Sequence, residues 1–192
     1  MSIELGTTLE VDQYRDPLLP TAERVIPIER LVGLLREAHG QYLVGATSGT
    51  FDLLHLGHLR YLERLAYEVY SRLGAGRKGL VVVGVNSDES TRRNKGGRTN
   101  GRPVMDERTR AEIVAGLRCV DLTFIFDDDL QLAQLHVDLF QVFTGSDHKP
   151  EDRPEVSLMK QSGTFIISVD PEEERPGATT DIIKKIREHN IY

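Results

Sequence analysis

GLVVVGVNSD, residues 79–88, decides the fold class of this chain. It is a run of β-branched residues bounded by Gly79 and by polar residues, which is the composition of a strand. Its hydrophobicity is continuous rather than alternating. A strand with one wet face alternates apolar and polar side chains. A continuous run fits a strand covered on both faces, as in a parallel sheet.

Outward from this strand the logic repeats. Upstream, IERLVGLLREAHG (28–40) carries apolar residues at helical spacing and ends on Gly40, a C-cap. QYLVGATS (41–48) reads as a short buried strand. The next helix runs through YLERLAYEVYSRLGAG (61–76), with Leu59, Leu62, Leu65, Ala66 and Val69 on one apolar stripe. Downstream, DERTRAEIVAGLRCV (106–120) reads as a helix with Asp106 at its N-cap, and DLTFIFD (121–127) as a strand. DLQLAQLHV (129–137) and EVSLMKQSG (155–163) read as helices, DLFQVFTG (138–145) and TFIISV (164–169) as strands. TTDIIKKIREHN (179–190) is a last helix capped by Thr179 or Thr180. RRNKGGRTNGRP (92–103) reads as a flexible basic loop. Strands alternating with helices make βαβ units, hence an α/β, doubly wound, mainly parallel sheet with right-handed crossovers.

Composition bounds the function. A chain of 192 residues fits one domain, and 39% hydrophobic content suffices for a core. Residues 1–25 show little periodicity and carry Pro17 and Pro20, so they read as an irregular N-terminal extension on the surface, ahead of a domain over 26–192. No run of eighteen apolar residues occurs, so no membrane span is expected. The first residues are acidic, without the apolar centre of a signal peptide, and a cytoplasmic location is expected. Cys119 stands alone, which agrees with a reducing compartment. A net charge of −6 and a pI near 5.5 argue against a general nucleic-acid binder. They leave room for a small anionic substrate held by a local cluster of Arg and Lys.

In such a sheet, ligands bind beyond the carboxyl ends of the strands, near the switch in strand order. Four polar segments follow expected strands: SGTFDLLHLGH (48–58), NSDESTRRNKGG (86–97), TGSDHKP (144–150) and DPEEERPGATT (170–180). All four can meet on one rim. In the first, Gly49 permits a tight turn, while Gly57 and His58 open a helix whose free N–H groups favour an anion. His55 and His58 are three residues apart at that entrance and can point to the same side. Three readings stand: core or capping histidines, donors to a polyphosphate, or a metal clip. The clip is the weakest, because only Asp52 is near as a further ligand. In the second segment Lys95, beside Gly96 and Gly97, can fold over a phosphate as a lid or be an ordinary solvated lysine. Gly145 and Asp147 follow a strand, where an aspartate can accept from a ribose or base, position Mg2+, or simply make a turn. Thr179 and Thr180 open a helix, where they can cap it or hold phosphates.

GTFDLLHLGH (49–58) resembles the HxGH signature of the cytidylyltransferase-like nucleotidyltransferases. Residues 85–121 resemble the second block of the adenylyltransferase domain of ADP-heptose synthase, and GATTDIIKKI (177–186) resembles its terminal block. The likeness runs over roughly residues 29–187, in order. It implies a Rossmann-like fold and a reaction in which a nucleoside triphosphate, ATP favoured over CTP, and a sugar phosphate give a nucleotide diphospho-product and pyrophosphate. The acceptor is already an anion, so no strong base is needed. Catalysis becomes alignment and charge stabilisation. The resemblance further implies that His55, His58 and Lys95 act on the reacting phosphates. It assigns Gly49, Thr50, Phe51, Asp52, Gly57, Arg110, Gly145, Asp147, Thr179 and Thr180 to the nucleotide, and Asp88, Lys95 and Arg102 to the acceptor. Mg2+ is the implied cofactor, with no protein metal ligand, and a homodimer is the common assembly.

Two departures from the pattern bear on the acceptor. Thr50 stands where heptose-type enzymes have a cysteine, and Ala178 where the terminal block has a serine. A CTP-dependent enzyme acting on a polyol or alcohol phosphate therefore stays open. So does an FMN adenylyltransferase and, in another class, a nucleotide-binding regulatory protein without catalysis.

Overall fold

The structure is a computed structural model that describes residues 10–94, 101–127, 139–140, 142–145, 164–168 and 179–189. Helix α1 (Ile28–Ala38) leads into strand β1 (Tyr42–Gly49), then α2 (Leu56–Ser71) and β2 (Lys78–Asn86). A short α3 (Asp88–Asn94) and α4 (Glu107–Ala115) precede β3 (Leu122–Phe126). Strands β4 (Val142–Gly145) and β5 (Phe165–Ser168) and helix α5 (Thr179–Glu188) complete the described elements. The five strands pair in parallel in the order β3-β2-β1-β4-β5. The chain winds outward from β1 through β2 to β3, then returns to the other side of β1 with β4. The switch point therefore lies between β1 and β4.

Residue alternation sorts the core into two layers. Val44, Ala46, Leu80, Val82, Leu122 and Phe124 turn toward α1 and its Leu31, Leu34, Leu35 and Ala38. Leu43, Val81, Val83 and Val85 turn the other way, toward Leu62, Leu65 and Val69 of α2 and Val114 of α4. Period-two pointing of side chains and apolar residues at both phases make a sheet dry on both faces. Gly45 sets how closely α2 approaches β1: a Cβ there would lie 2.1 Å from Val69 Cγ2.

Several elements differ from expectation in extent. The basic loop starts later than residue 92, because Arg92 to Asn94 belong to α3. The Ser87 hydroxyl accepts from the Ser90 N–H at 2.9 Å and caps that helix. Helix α4 stops at Gly116 rather than running to residue 120. Its N-terminus is capped as expected, with Asp106 accepting from the Thr109 N–H. Gly40, at φ 83°, takes the left-handed position after α1. The helices expected at 129–137 and 155–163 lie outside the described residues.

Within the N-terminal segment, residues 10–25 pack against the sheet. Val11 and Tyr14 are buried in the α1 layer. Asp12 accepts from the Tyr42 hydroxyl and pairs with Lys78, and Arg15 pairs with Asp121. Val25 forms a bridge with Thr123 of β3, and Ile26 N–H donates to the Thr123 carbonyl. These partners lie at the starts of β1, β2 and β3, so the segment closes the end of the sheet opposite the switch-point rim. Among the described residues, no helix is long and apolar enough to cross a membrane.

Candidate active site

The site grows out of the turn between β1 and α2. Gly49 ends β1, and a Cβ on it would stand 3.1 Å from the Phe51 ring, so the bare backbone lets that ring come close to the strand. Phe51 and Leu53 adopt positive φ of 51° and 47°. A non-glycine residue there is strained by roughly 1–3 kcal/mol and persists only where its surroundings impose it. The two reversals flank Asp52 and turn its side chain fully inward.

His55 then sits at the N-cap of α2 in extended backbone, without capping the helix through its side chain. His58 lies in the first turn. The two imidazoles stack with centroids 3.8 Å apart and planes inclined by 24°. The Phe51 ring meets His58 edge-on at 5.3 Å. The three-residue spacing thus brings the rings together, as expected for a helix entrance. Among the described residues, neither Nδ1 has a hydrogen-bond partner although both atoms are buried. Burial pushes the His58 pKa down to about 3, and the neighbouring His55 and Arg102 push the same way against Asp52. Burial and Arg102 also lower His55. Both rings are therefore neutral at pH 7, and each offers one N–H donor. Among the described residues, no three His, Cys, Asp or Glu side chains gather as a metal site.

Around the pair, the structure distributes the expected ligands unevenly. Arg102 reaches Asp52 through Nε at 3.2 Å and is mostly enclosed. Asp52 also accepts from the Val104 and Met105 N–H groups, at 3.0 and 3.1 Å. Its carboxylate is therefore enclosed by protein donors. Arg110, expected on a phosphate, is fully buried. Its guanidinium donates to Thr50 O at 2.6 Å, Met105 O at 2.9 Å and Asp88 Oδ1 at 2.7 Å. An arginine committed in three directions props the Thr50 turn. Asp88, expected on the acceptor, pairs with Arg110 while keeping 24% of its side chain exposed. Thr179 is buried, and its hydroxyl donates to the Asp52 carbonyl at 2.5 Å, whereas Thr180 is exposed. The start of α5 is thereby fastened to the β1–α2 turn. Gly57 is buried in the first turn of α2. Gly145 ends β4, the strand beside β1, so Gly49 and Gly145 flank the switch point. Lys95 and Asp147 lie outside the described residues.

Residue types give no warning of the Val104 and Met105 amides. A backbone donor has no signature in sequence, and only the fold brings these two to Asp52. The inward turn of Asp52 is equally invisible, because positive φ is not written in phenylalanine or leucine.

A profile of the family described as cytidylyltransferase-like matches residues 46–185. The chain is 38% identical over 143 residues to the bifunctional protein HldE of Syntrophotalea carbinolica, covering 73% of this chain and 26% of that protein. It is 36% identical over 145 residues to a D-beta-D-heptose 1-phosphate adenylyltransferase of Bordetella bronchiseptica, covering 74% of this chain and 80% of that one. A lipopolysaccharide core biosynthesis protein from Thermoplasma volcanium aligns with a TM-score of 0.49 at 25% identity, over 67% of this chain and 96% of its own. The chain thus spans about a quarter of the bifunctional relatives' length and most of the Bordetella protein's. With the stacked histidine pair at the switch point and a match over most of its length, the chain belongs to the cytidylyltransferase-like family.

Proposed function

We propose that the protein transfers the adenylyl group of ATP to the phosphate of a heptose 1-phosphate-like sugar and releases pyrophosphate. The observation that carries this reading is the neutral, stacked His55–His58 pair at the open end of α2, with the Arg102 charge beside it. Two N–H donors at a helix N-terminus suit a triphosphate that gains negative charge as it reacts. The likeness to the Bordetella adenylyltransferase selects the substrate class.

In the step itself, an oxygen of the sugar phosphate attacks the α-phosphorus of ATP. A new P–O bond forms, the α–β bridge breaks, and pyrophosphate leaves with the electron pair. The attacking oxygen is already ionised, so no side chain has to remove a proton. The histidines hydrogen-bond to the phosphate oxygens where charge builds up. The N–H groups that open α2 add their dipoles. Lys95 and Thr180 hold phosphates and Asp147 the nucleoside, as the family pattern assigns them. Mg2+ would enter with the triphosphate and neutralise part of the charge on its phosphates.

The test is a matrix of ATP and CTP against heptose 1-phosphate, glycerol phosphate and flavin mononucleotide, with Mg2+, read by pyrophosphate release. Release with ATP and the heptose phosphate is expected. Turnover with CTP and glycerol phosphate, or with ATP and flavin mononucleotide, replaces the substrate assignment. Nucleotide binding without release in any pair replaces the enzyme by a regulatory binder.

A further inference from the structure

We propose that Asp52 is a positioning residue: it does not touch the nucleotide but holds the Arg102 guanidinium against the His55–His58 pair, which makes Arg102 a part of the phosphate site. The proposal rests on the reading that phosphates bind at this pair.

The carboxylate of Asp52 has no exposed surface. Its Oδ1 accepts from the Val104 and Met105 N–H groups, and its Oδ2 from Val104 N–H and Arg102 Nε. No oxygen remains for a ribose or a base. The carbonyl of the same residue takes the Thr179 hydroxyl. One residue therefore ties together three segments distant in sequence: the β1–α2 turn, residues 102–105 and the start of α5. Two left-handed non-glycine residues, Phe51 and Leu53, turn it inward, and strain of that kind is kept only where neighbouring bonds impose it.

The direction of the tether matters. Asp52 engages Nε, the inner nitrogen of Arg102. The terminal fork is the part of a guanidinium that reads a phosphate in bidentate fashion. Arg102 keeps 14% of its side chain open, against none for Asp52. The charge reaches both rings, since Arg102 depresses the pKa of His55 and of His58 alike. Arg110 fastens the same segment from behind through Met105 O and is itself closed to solvent. Of the arginines at the turn, Arg102 is thus the one placed to meet an anion.

The test compares D52N, R102M and the double variant by two readouts. The first is ring titration of His55 and His58 by NMR in the ligand-free protein. R102M is expected to raise both ring pKa values, because a cation is lost. D52N is expected to raise them too, because an untethered Arg102 leaves the rings. If Arg102 stayed without Asp52, loss of the carboxylate would lower His58 further, and that opposite sign overturns the proposal. No change on R102M also overturns it. The second readout is kcat/KM for pyrophosphate release. Each single variant is expected to lose about a hundredfold, and the double variant is expected to be no worse than the poorer single one. Full additivity would make Asp52 a fold stabiliser only. Should D52N fail to fold, R102M and R102K decide: both must lose activity, since lysine keeps the charge but not the fork. A wild-type protein that turns over no substrate sinks the functional reading, while the ring titrations still decide the tether.

Discussion

His58 shows how a single residue links burial to chemistry. Its folded pKa of about 3 lies well below the unfolded value near 6.5. Between those two values the unfolded chain binds more protons than the folded one. The stability held by neutral His58 is therefore complete above pH 6.5 and is lost as pH falls toward 3, at a limiting slope of about 1.4 kcal/mol per pH unit. His55 acts in the same direction. In the ligand-free protein, H58Q is expected to flatten the acid limb of stability between pH 6.5 and 4.5, measured by urea unfolding at several pH values. Parallel limbs for the two proteins would mean that the ring is solvated. The pairing of the rings was legible from their spacing, since residues three apart share a helix face. The neutral state was not, because it arises from burial and from an arginine 44 residues further along the chain.

At the scale of elements, the packing of α2 on β1 aims the histidine pair. Gly45 is where the two come closest, and an added methyl would meet Val69 Cγ2 at 2.1 Å and Leu65 Cδ1 at 3.2 Å. Valine is stiff at χ1 and cannot swing aside cheaply. G45A is expected to cost about 1–3 kcal/mol through overpacking, a fall of about 2–4 °C in Tm for each kcal/mol, read by differential scanning calorimetry. A neutral effect would show that α2 can slide. The strands were legible from their unbroken apolar runs and α2 from its helical stripe. Helix α3 was not, because KGG and the arginines hid a Ser87 cap and the Arg92 pairs with Asp88 and Glu89 at helical spacing.

For the molecule as a whole, the N-terminal segment is part of the stability of the sheet. Tyr14 is buried in the α1 layer, and its hydroxyl accepts from Arg30 Nε at 2.9 Å. Y14A is expected to cost about 3 kcal/mol, measured by urea unfolding. Nucleotide affinity, measured by calorimetry on the folded protein, should stay the same, because the segment closes the opposite end of the sheet. A large loss of affinity would mean that the two ends are coupled. Residue types gave this segment an irregular reading, which its 3-10 turns satisfy, but irregular chain can be buried when its few apolar residues find a partner layer.

The doubly wound parallel sheet, the turn after β1 and the helix that starts at the histidines all follow from local patterns. Unbroken apolar runs, helical stripes and a glycine-led turn act over a few residues, so their consequences can be read along the chain. The roles of Asp52, Arg110 and Thr179 follow only from the tertiary structure. Each is a polar side chain that the fold joins to a backbone group far away in sequence. The reason is physical: a buried polar group must find a partner, and which partner lies within 3 Å depends on how segments far apart in sequence come together.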